Sequence, residues 1–185
     1  MCSLMQHAVR SVFTRSRFIQ TKLVGSGETP LAISPRLSVS FPTGDWKRGR
    51  GAGAVGIEAG LPLSYVMSPL FTAHTNALVG FTPSARSASG ARAHAVGFGV
   101  GQSLIFTPNQ RVQPLVEVVY SREQEVIAED KTGWIDDLVI SPGFRAAFNF
   151  PSGLQIVPGL AIPFGRHGER GVFFYLSFEH PFGHQ

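Results

Sequence analysis

The stretch GVFFYLSFEHPF, Gly171 to Phe182, crowds four phenylalanines and a tyrosine around one serine and one glutamate. Drawn out as an extended chain, it separates cleanly. Val172, Phe174, Leu176 and Phe178 fall on one face, and Phe173, Tyr175, Ser177 and Glu179 on the other. A helix would scatter the same residues around its circumference, whereas a pleated surface accommodates Phe, Tyr and Val well. The stretch therefore predicts a β-strand with one apolar and one mixed face.

Upstream, the same pattern recurs from Pro30 onward. In LAISPRLSVSF, Leu31, Ile33, Leu37, Val39 and Phe41 oppose Ala32, Ser34, Arg36, Ser38 and Ser40. Further on, Val55, Ile57, Ala59, Leu61, Leu63 and Tyr65 oppose Gly56, Glu58, Gly60, Pro62 and Ser64, and Phe71, Ala73, Ala77, Val79 and Phe81 oppose Thr72, His74, Asn76 and Gly80. Val96, Phe98, Val100, Leu104 and Phe106 oppose a face of glycines and Ser103, with Gln102 the one polar residue on the apolar side. Weaker alternation follows in VQPLVEVVYS. Leu138, Ile140, Phe144, Ala146 and Phe148 then oppose Ser141, Gly143, Arg145 and Asn149, and Leu154, Ile156, Leu160, Ile162 and Phe164 face away from Gln155, Gly159 and Ala161. That makes eight strands. A ninth is read in RFIQTKLV, just before the turn-rich GSGETP. The long connections PTGDWKRGRGAG, PSARSASGAR, REQEVIAEDKTGW and GRHGER alternate with short ones, the rhythm of an antiparallel up-and-down β-barrel with loops on one side and turns on the other.

Composition says what the apolar face meets. Only 15% of the 185 residues are charged, against roughly 25% in ordinary soluble domains. A soluble barrel would coat its outside with Lys and Glu; one whose outside meets lipid has no use for them. No run approaches the 18 apolar residues of a membrane helix, so strands are the means of crossing. The mixed face carries Arg36, Glu58, His74, Asn76, Gln113, Glu117, Arg145, Gln155, Tyr175 and Glu179. In a dry core each charge would cost several kcal/mol unless paired, so these ten residues are expected to line a wet lumen. Cross-lumen pairing of Arg36 with Glu58 and of Arg145 with Glu117 follows as an expectation. A soluble lipocalin-like barrel, apolar inside, is the competing arrangement.

Prolines run against the pattern. Pro35, Pro62, Pro114, Pro142, Pro158 and Pro163 lie inside read strands, where each removes a ladder donor. Bulges are the expected accommodation, with Pro142-Gly143 and Pro158-Gly159 the first candidates.

Nine strands fit poorly with the even counts of bacterial outer-membrane barrels. No apolar core with a cleavage site lies in residues 1–27. The reading is therefore of the C-terminal part of a larger barrel over residues 18–185, with 1–17 irregular or misassigned. Arg10, Arg15, Arg17 and Lys22, with no acid before Glu28, also allow a mitochondrial presequence. The single cysteine, Cys2, permits no internal disulfide. The net charge of +4 is dispersed, which argues against nucleic acid as a partner.

PTGDWKRGRGAG, LVISPGFRAAFNFPSGLQIVPGLAIPFG and GVFFYLSFEHPF together resemble the outer-membrane transporter family of the phenol meta-pathway degradation type, over about residues 18 to 182. The resemblance implies a transmembrane barrel with a signal peptide and further strands upstream. It also implies passage of small aromatic or hydrophobic solutes. Barrels of this kind end on a strand with a terminal aromatic residue that the assembly machinery recognises. Phe182 matches that pattern, although Gly183, His184 and Gln185 follow it.

Chemical motifs are few. His74, His94, His167, His180 and His184 lack metal-ligand spacing, no G-x-S-x-G occurs, and GFGVG at Gly97 to Gly101 has no helix after it. Neither a metal nor a cofactor is expected, nor an enzyme, although a barrel with a structural or lipid-hydrolysing role is the alternative. The small residues of GFGVG are expected to make room for a lumenal side chain or a plug. Lys47, Arg48 and Arg50 are candidates for holding lipopolysaccharide phosphates.

Overall fold

A computed structural model describes residues 16–20, 30–109, 111–166, 168 and 170–179. Its strands are β1 (Ser16–Gln20), β2 (Leu31–Ile33), β3 (Arg36–Ser40), β4 (Gly56–Ser68), β5 (Phe71–Arg86) and β6 (Arg92–Phe106). They continue with β7 (Val112–Ala128), β8 (Lys131–Ala146), β9 (Phe148–Asn149), β10 (Gln155–Ala161), β11 (Phe164–Gly165) and β12 (Phe173–Glu179). All pair antiparallel in one sheet ordered β1-β3-β4-β5-β6-β7-β8-β10-β12, with β2, β9 and β11 as short pieces beside β4, β10 and β8. Each strand of this path lies next to its sequence neighbour on the path, the up-and-down connectivity expected. The sheet curls into a half-barrel. The upstream strand begins at Ser16, two residues before the expected boundary; residues 1–15, 21–29 and Phe182 lie outside the described residues, as do His167, His180 and His184.

The alternation resolves as an inside-out arrangement. The apolar face of every long strand is turned to the exposed side: Ile57 and Val79 are 52% accessible and Phe174 is 74%. Phe81, Phe98, Val100, Phe106, Val116, Ile140, Phe144, Leu176 and Phe178 share that side and that exposure. Buried on the concave side are Ser38, Asn76, Ser103, Glu117, Ser121 and Ser141. The one apolar cluster among the described residues is small, made of Ala85, Ala93 and Val126 with Ala52, Ala91 and Ala95 against it. Gln102 faces outward, as its position predicts, and accepts from Thr75 Oγ1 at 2.6 Å, so the two outward polar groups satisfy each other.

Two expected loops are strand instead. PSARSASGAR is taken up by β5 as far as Arg86 and by β6 from Arg92, leaving a turn closed by Gly90 N–H to Ser87 O at 2.9 Å. REQEVIAEDKTGW is a hairpin: β7 runs to Ala128, β8 starts at Lys131, and Asp130 takes φ 53° between them. The loop rhythm read from the sequence is thus lost from β5 to β8, which are simply long, at 15 to 17 residues. Polar composition had suggested loops, but a strand standing beyond an apolar belt needs no apolar face, and the cross-strand ladder carries it. The connection 41–55 is a true loop. Asp45 caps a 3₁₀ turn, Trp46–Arg48, by accepting from Lys47 N–H at 3.1 Å, and Gly49 closes it at φ 68°.

Prolines are accommodated without bulges at the expected places. Register shifts fall at Val66/Ser68, Thr82/Ala85 and Val126/Ala128, while Pro142 opposes Val116 and Pro158 opposes Leu176 in regular register. The structure uses breaks in the neighbouring ladder instead. Pro35 separates β2 from β3, and Pro62 of β4 lies opposite that break, accepting from Ser34 N–H at 3.0 Å. Pro163 separates β10 from β11, and Pro142 of β8 lies opposite, accepting from Ile162 N–H at 2.9 Å. Pro158 falls between the pairing of β10 with β9 and its pairing with β8, and Pro114 lies just past the end of the β6–β7 ladder. A residue without N–H is tolerated where no acceptor faces it.

Candidate functional site

Because side chains alternate across a pleated sheet, register alone assembles the concave face into rows running across the strands. Ser64, His74, Ser103, Glu117 and Ser141 are opposite one another on β4, β5, β6, β7 and β8. This row is polar at every position. Ser64 Oγ and His74 Nδ1 are 2.8 Å apart in it, while Glu117 is 5% accessible and Ser141 1%. A second row, at the short-turn end, joins Gln113, Arg145, Gly159 and Tyr175 across β7, β8, β10 and β12. A third joins Ser38, Glu58, Gly80, Gly97 and Glu123 across β3 to β7.

Glycines let the long side chains lie flat on this wall. Arg36 stretches over Gly60, where an added Cβ would stand 3.5 Å from its guanidinium, and reaches Glu58 Oε1 at 3.2 Å. Glu123 lies over Gly97, its Cγ 3.1 Å from where a Cβ would be, and Leu78 lies over Gly99. The small residues of GFGVG thus accommodate neighbouring side chains, as their placement suggested. Tyr175 lies over Gly159 so closely that any Cβ there would collide with its ring.

Of the sequence-derived candidates, Arg36, Glu58, His74, Asn76, Gln113, Glu117, Arg145, Gln155 and Tyr175 are all on the concave side, half-buried or buried. Glu179 is opposite Gln155 in register. The Arg36–Glu58 pair is present. Arg145 does not pair with Glu117; its Nε donates to Gln113 Oε1, because Gln113 is its register partner and Glu117 is four residues further along β7. That offset is about 13 Å of strand, and the Gln113 side chain is the nearer acceptor.

Some concave-side groups were not read from the sequence. Glu123 and Asp137 belong to segments that resembled loops, and the parity of β7 and β8, once extended, would have found them. Glu123 stands beyond the apolar belt of β7, where burial and, secondly, the Glu58 carboxylate in its row push its carboxyl above the ordinary carboxylate range. Ser38 Oγ, Asn76 Oδ1, Asp137 Oδ1 and Ser141 Oγ are buried without a protein hydrogen-bond partner among the described residues.

On the outward side, the belt ends in an aromatic and ionic cluster. Trp134 stands 6.0 Å from Phe98 and under the Arg122 guanidinium at 5.0 Å, and Asp136 accepts from Tyr120 OH at 3.2 Å and forms an ion pair with Arg122 at 3.2 Å. Lys47, Arg48 and Arg50 are exposed on the loop 41–55, which Trp46 anchors by stacking against Arg86 at 5.4 Å and Ala52 O by accepting from Arg86 N–H at 2.8 Å. No group of His, Cys, Asp and Glu among the described residues has metal-binding geometry.

No family model and no curated protein matches the chain. Its functional reading rests on the wall itself.

Proposed function

We propose that this chain forms the wall of a bacterial outer-membrane β-barrel that passes small molecules through a wet lumen. One observation carries the reading: large apolar side chains cover the convex side while Arg36, Glu58, Glu117 and Arg145 occupy the concave side. In water that arrangement loses the burial of every exposed Phe, Val and Leu, roughly 1.5–3 kcal/mol each. Against hydrocarbon it costs nothing, and a hydrated lumen satisfies the unpartnered Ser38, Asn76, Asp137 and Ser141 oxygens. The Tyr120, Trp134 and Arg122 cluster is then the interfacial girdle, beyond which β5 to β8 project from the membrane. In a bilayer the outer edges of β1 and β12 have to be paired, since unsatisfied backbone groups there cost several kcal/mol each.

Partners follow from the same picture. Lipid covers the convex side, Lys47, Arg48 and Arg50 reach lipopolysaccharide phosphates, and β12 is the strand presented to the assembly machinery. The resemblance to phenol meta-pathway outer-membrane transporters supports an aromatic or hydrophobic solute. Planar-bilayer recording of the full chain tests the reading. Discrete conductance steps, together with recovery in the outer-membrane fraction, are expected; a detergent-independent soluble protein would refute it.

Ser64 and His74 favour a second reading, because a hydroxyl 2.8 Å from an imidazole nitrogen is the spacing of a nucleophile and its base. Labelling of Ser64 by a fluorophosphonate, abolished in His74→Ala, would establish a lipid hydrolase in place of the channel.

A further inference from the structure

We infer that the row formed by Gln113, Arg145, Gly159 and Tyr175 is a binding subsite for a small aromatic carboxylate. The inference rests on the lumen reading above and names the class of solute for that lumen.

Among the described residues Arg145 has no carboxylate within ion-pair distance, and the salt bridges there involve Arg36, Arg48 and Arg122 instead. Its hydrogen-bond partner among the described residues is the neutral Gln113 side chain, which takes Nε and so fixes the plane of the guanidinium. The two terminal nitrogens remain as the fork that suits a carboxylate by two parallel hydrogen bonds. Glu117, four residues along β7 from Gln113, makes no ion pair with Arg145, although both charges act electrostatically on Tyr175.

Beside the cation the wall is flat and aromatic. Gly159 separates Arg145 from Tyr175 in the row, and the Tyr175 ring lies down over it. A ring stacked on Tyr175 projects a carboxylate substituent toward Arg145 one strand spacing away, about 5 Å. Gly143 and Ala161, in the next row, add no bulk on that side.

The test is binding rather than flux, so that a sealed lumen would defeat the channel reading while leaving this result readable. ¹⁹F NMR of the full chain in detergent micelles is recorded with 4-fluorobenzoate and with the neutral 4-fluorobenzamide, protein-free micelles being subtracted. Broadening of the benzoate signal alone is expected. Arg145→Gln should weaken benzoate binding about tenfold, the scale of one lost charge-assisted hydrogen bond, with Arg145→Lys retaining part of it and Tyr175→Leu weakening it as well. Circular dichroism verifies that each variant keeps its strand content. Equal broadening of both probes, no broadening of either, or benzoate binding unchanged in a folded Arg145→Gln protein would overturn the inference.

Discussion

Arg36 reaches across the backbone of β4 at Gly60 to place its guanidinium 3.2 Å from Glu58 Oε1, a bond between neighbouring strands two residues out of register. The Arg36 side chain is only 10% accessible and that of Glu58 is 30%, so neither charge is fully hydrated if the other is lost. Glu58→Gln is expected to destabilise the folded protein by about 1–3 kcal/mol, the cost of removing the carboxylate from a partly buried charge-assisted hydrogen bond. Urea titration in micelles measures it, and the same substitution in an Arg36→Met background should cost clearly less.

Gly159 makes room for the ring above it. Gly159→Ala places a methyl group inside the Tyr175 ring and is expected to cost about 1–3 kcal/mol by overpacking. In a Tyr175→Ala background the same change should be close to neutral, and a double-mutant cycle gives the coupling directly.

Val100 stands on the convex side in the middle of β6, 46% accessible. Val100→Arg should destabilise folding into vesicles by about 2–4 kcal/mol if that side meets the bilayer midplane. An indifferent result would place the convex side in water. The corresponding change at concave Ser103 faces the lumen, so its effect should fall on conduction rather than on insertion.

Glu123 supplies a pH dependence. Its carboxyl is raised by burial and by Glu58, so the folded state holds the proton more tightly than the unfolded chain. Its contribution is fully present below the ordinary carboxylate range and is lost as pH rises through the raised value. Glu123→Gln should therefore stabilise the protein at pH 7 relative to the parent and differ little from it near pH 4, as read from urea midpoints at the two values.

Asp130 takes φ 53° at the tip of the β7–β8 hairpin. Asp130→Gly should be tolerated, while Asp130→Val should cost about 1–2 kcal/mol in a left-handed conformation that a β-branched residue resists, measurable by the same titration.

That hairpin also marks where the sequence stops being transparent. Within the belt, the two-residue period is written in large letters: Ile57, Ala59 and Leu61 against Gly56, Glu58 and Gly60 leave no doubt about strand or side. Beyond Tyr120 both faces are polar, and the period vanishes although the strand continues. The turn carries no Asn-Gly or Asp-Gly signature, because Asp130 occupies the left-handed position that glycine usually takes. The concave site was legible residue by residue, since parity places each side chain, but its rows were not. Register decides that Arg145 meets Gln113 rather than Glu117, and register depends on how far each hairpin extends. Proline misled for a related reason: the sequence shows which residues lack a donor, but only the paired sheet shows that the opposite strand is broken at the same height.

Those matched interruptions bear on how the wall deforms. Pro35 with Pro62, and Pro142 with Pro163, set two seams into the sheet where cross-strand stitching is sparse, one on each flank of the continuous β5–β7 panel. Bending strain should gather along the seams and spare the panel between, so the flanks can swing while the row from His74 to Glu117 keeps its spacing. Amide exchange ought to reveal this as faster exchange at the isolated bridging amides of Ser34 and Ile162 than along the unbroken ladder between β6 and β7.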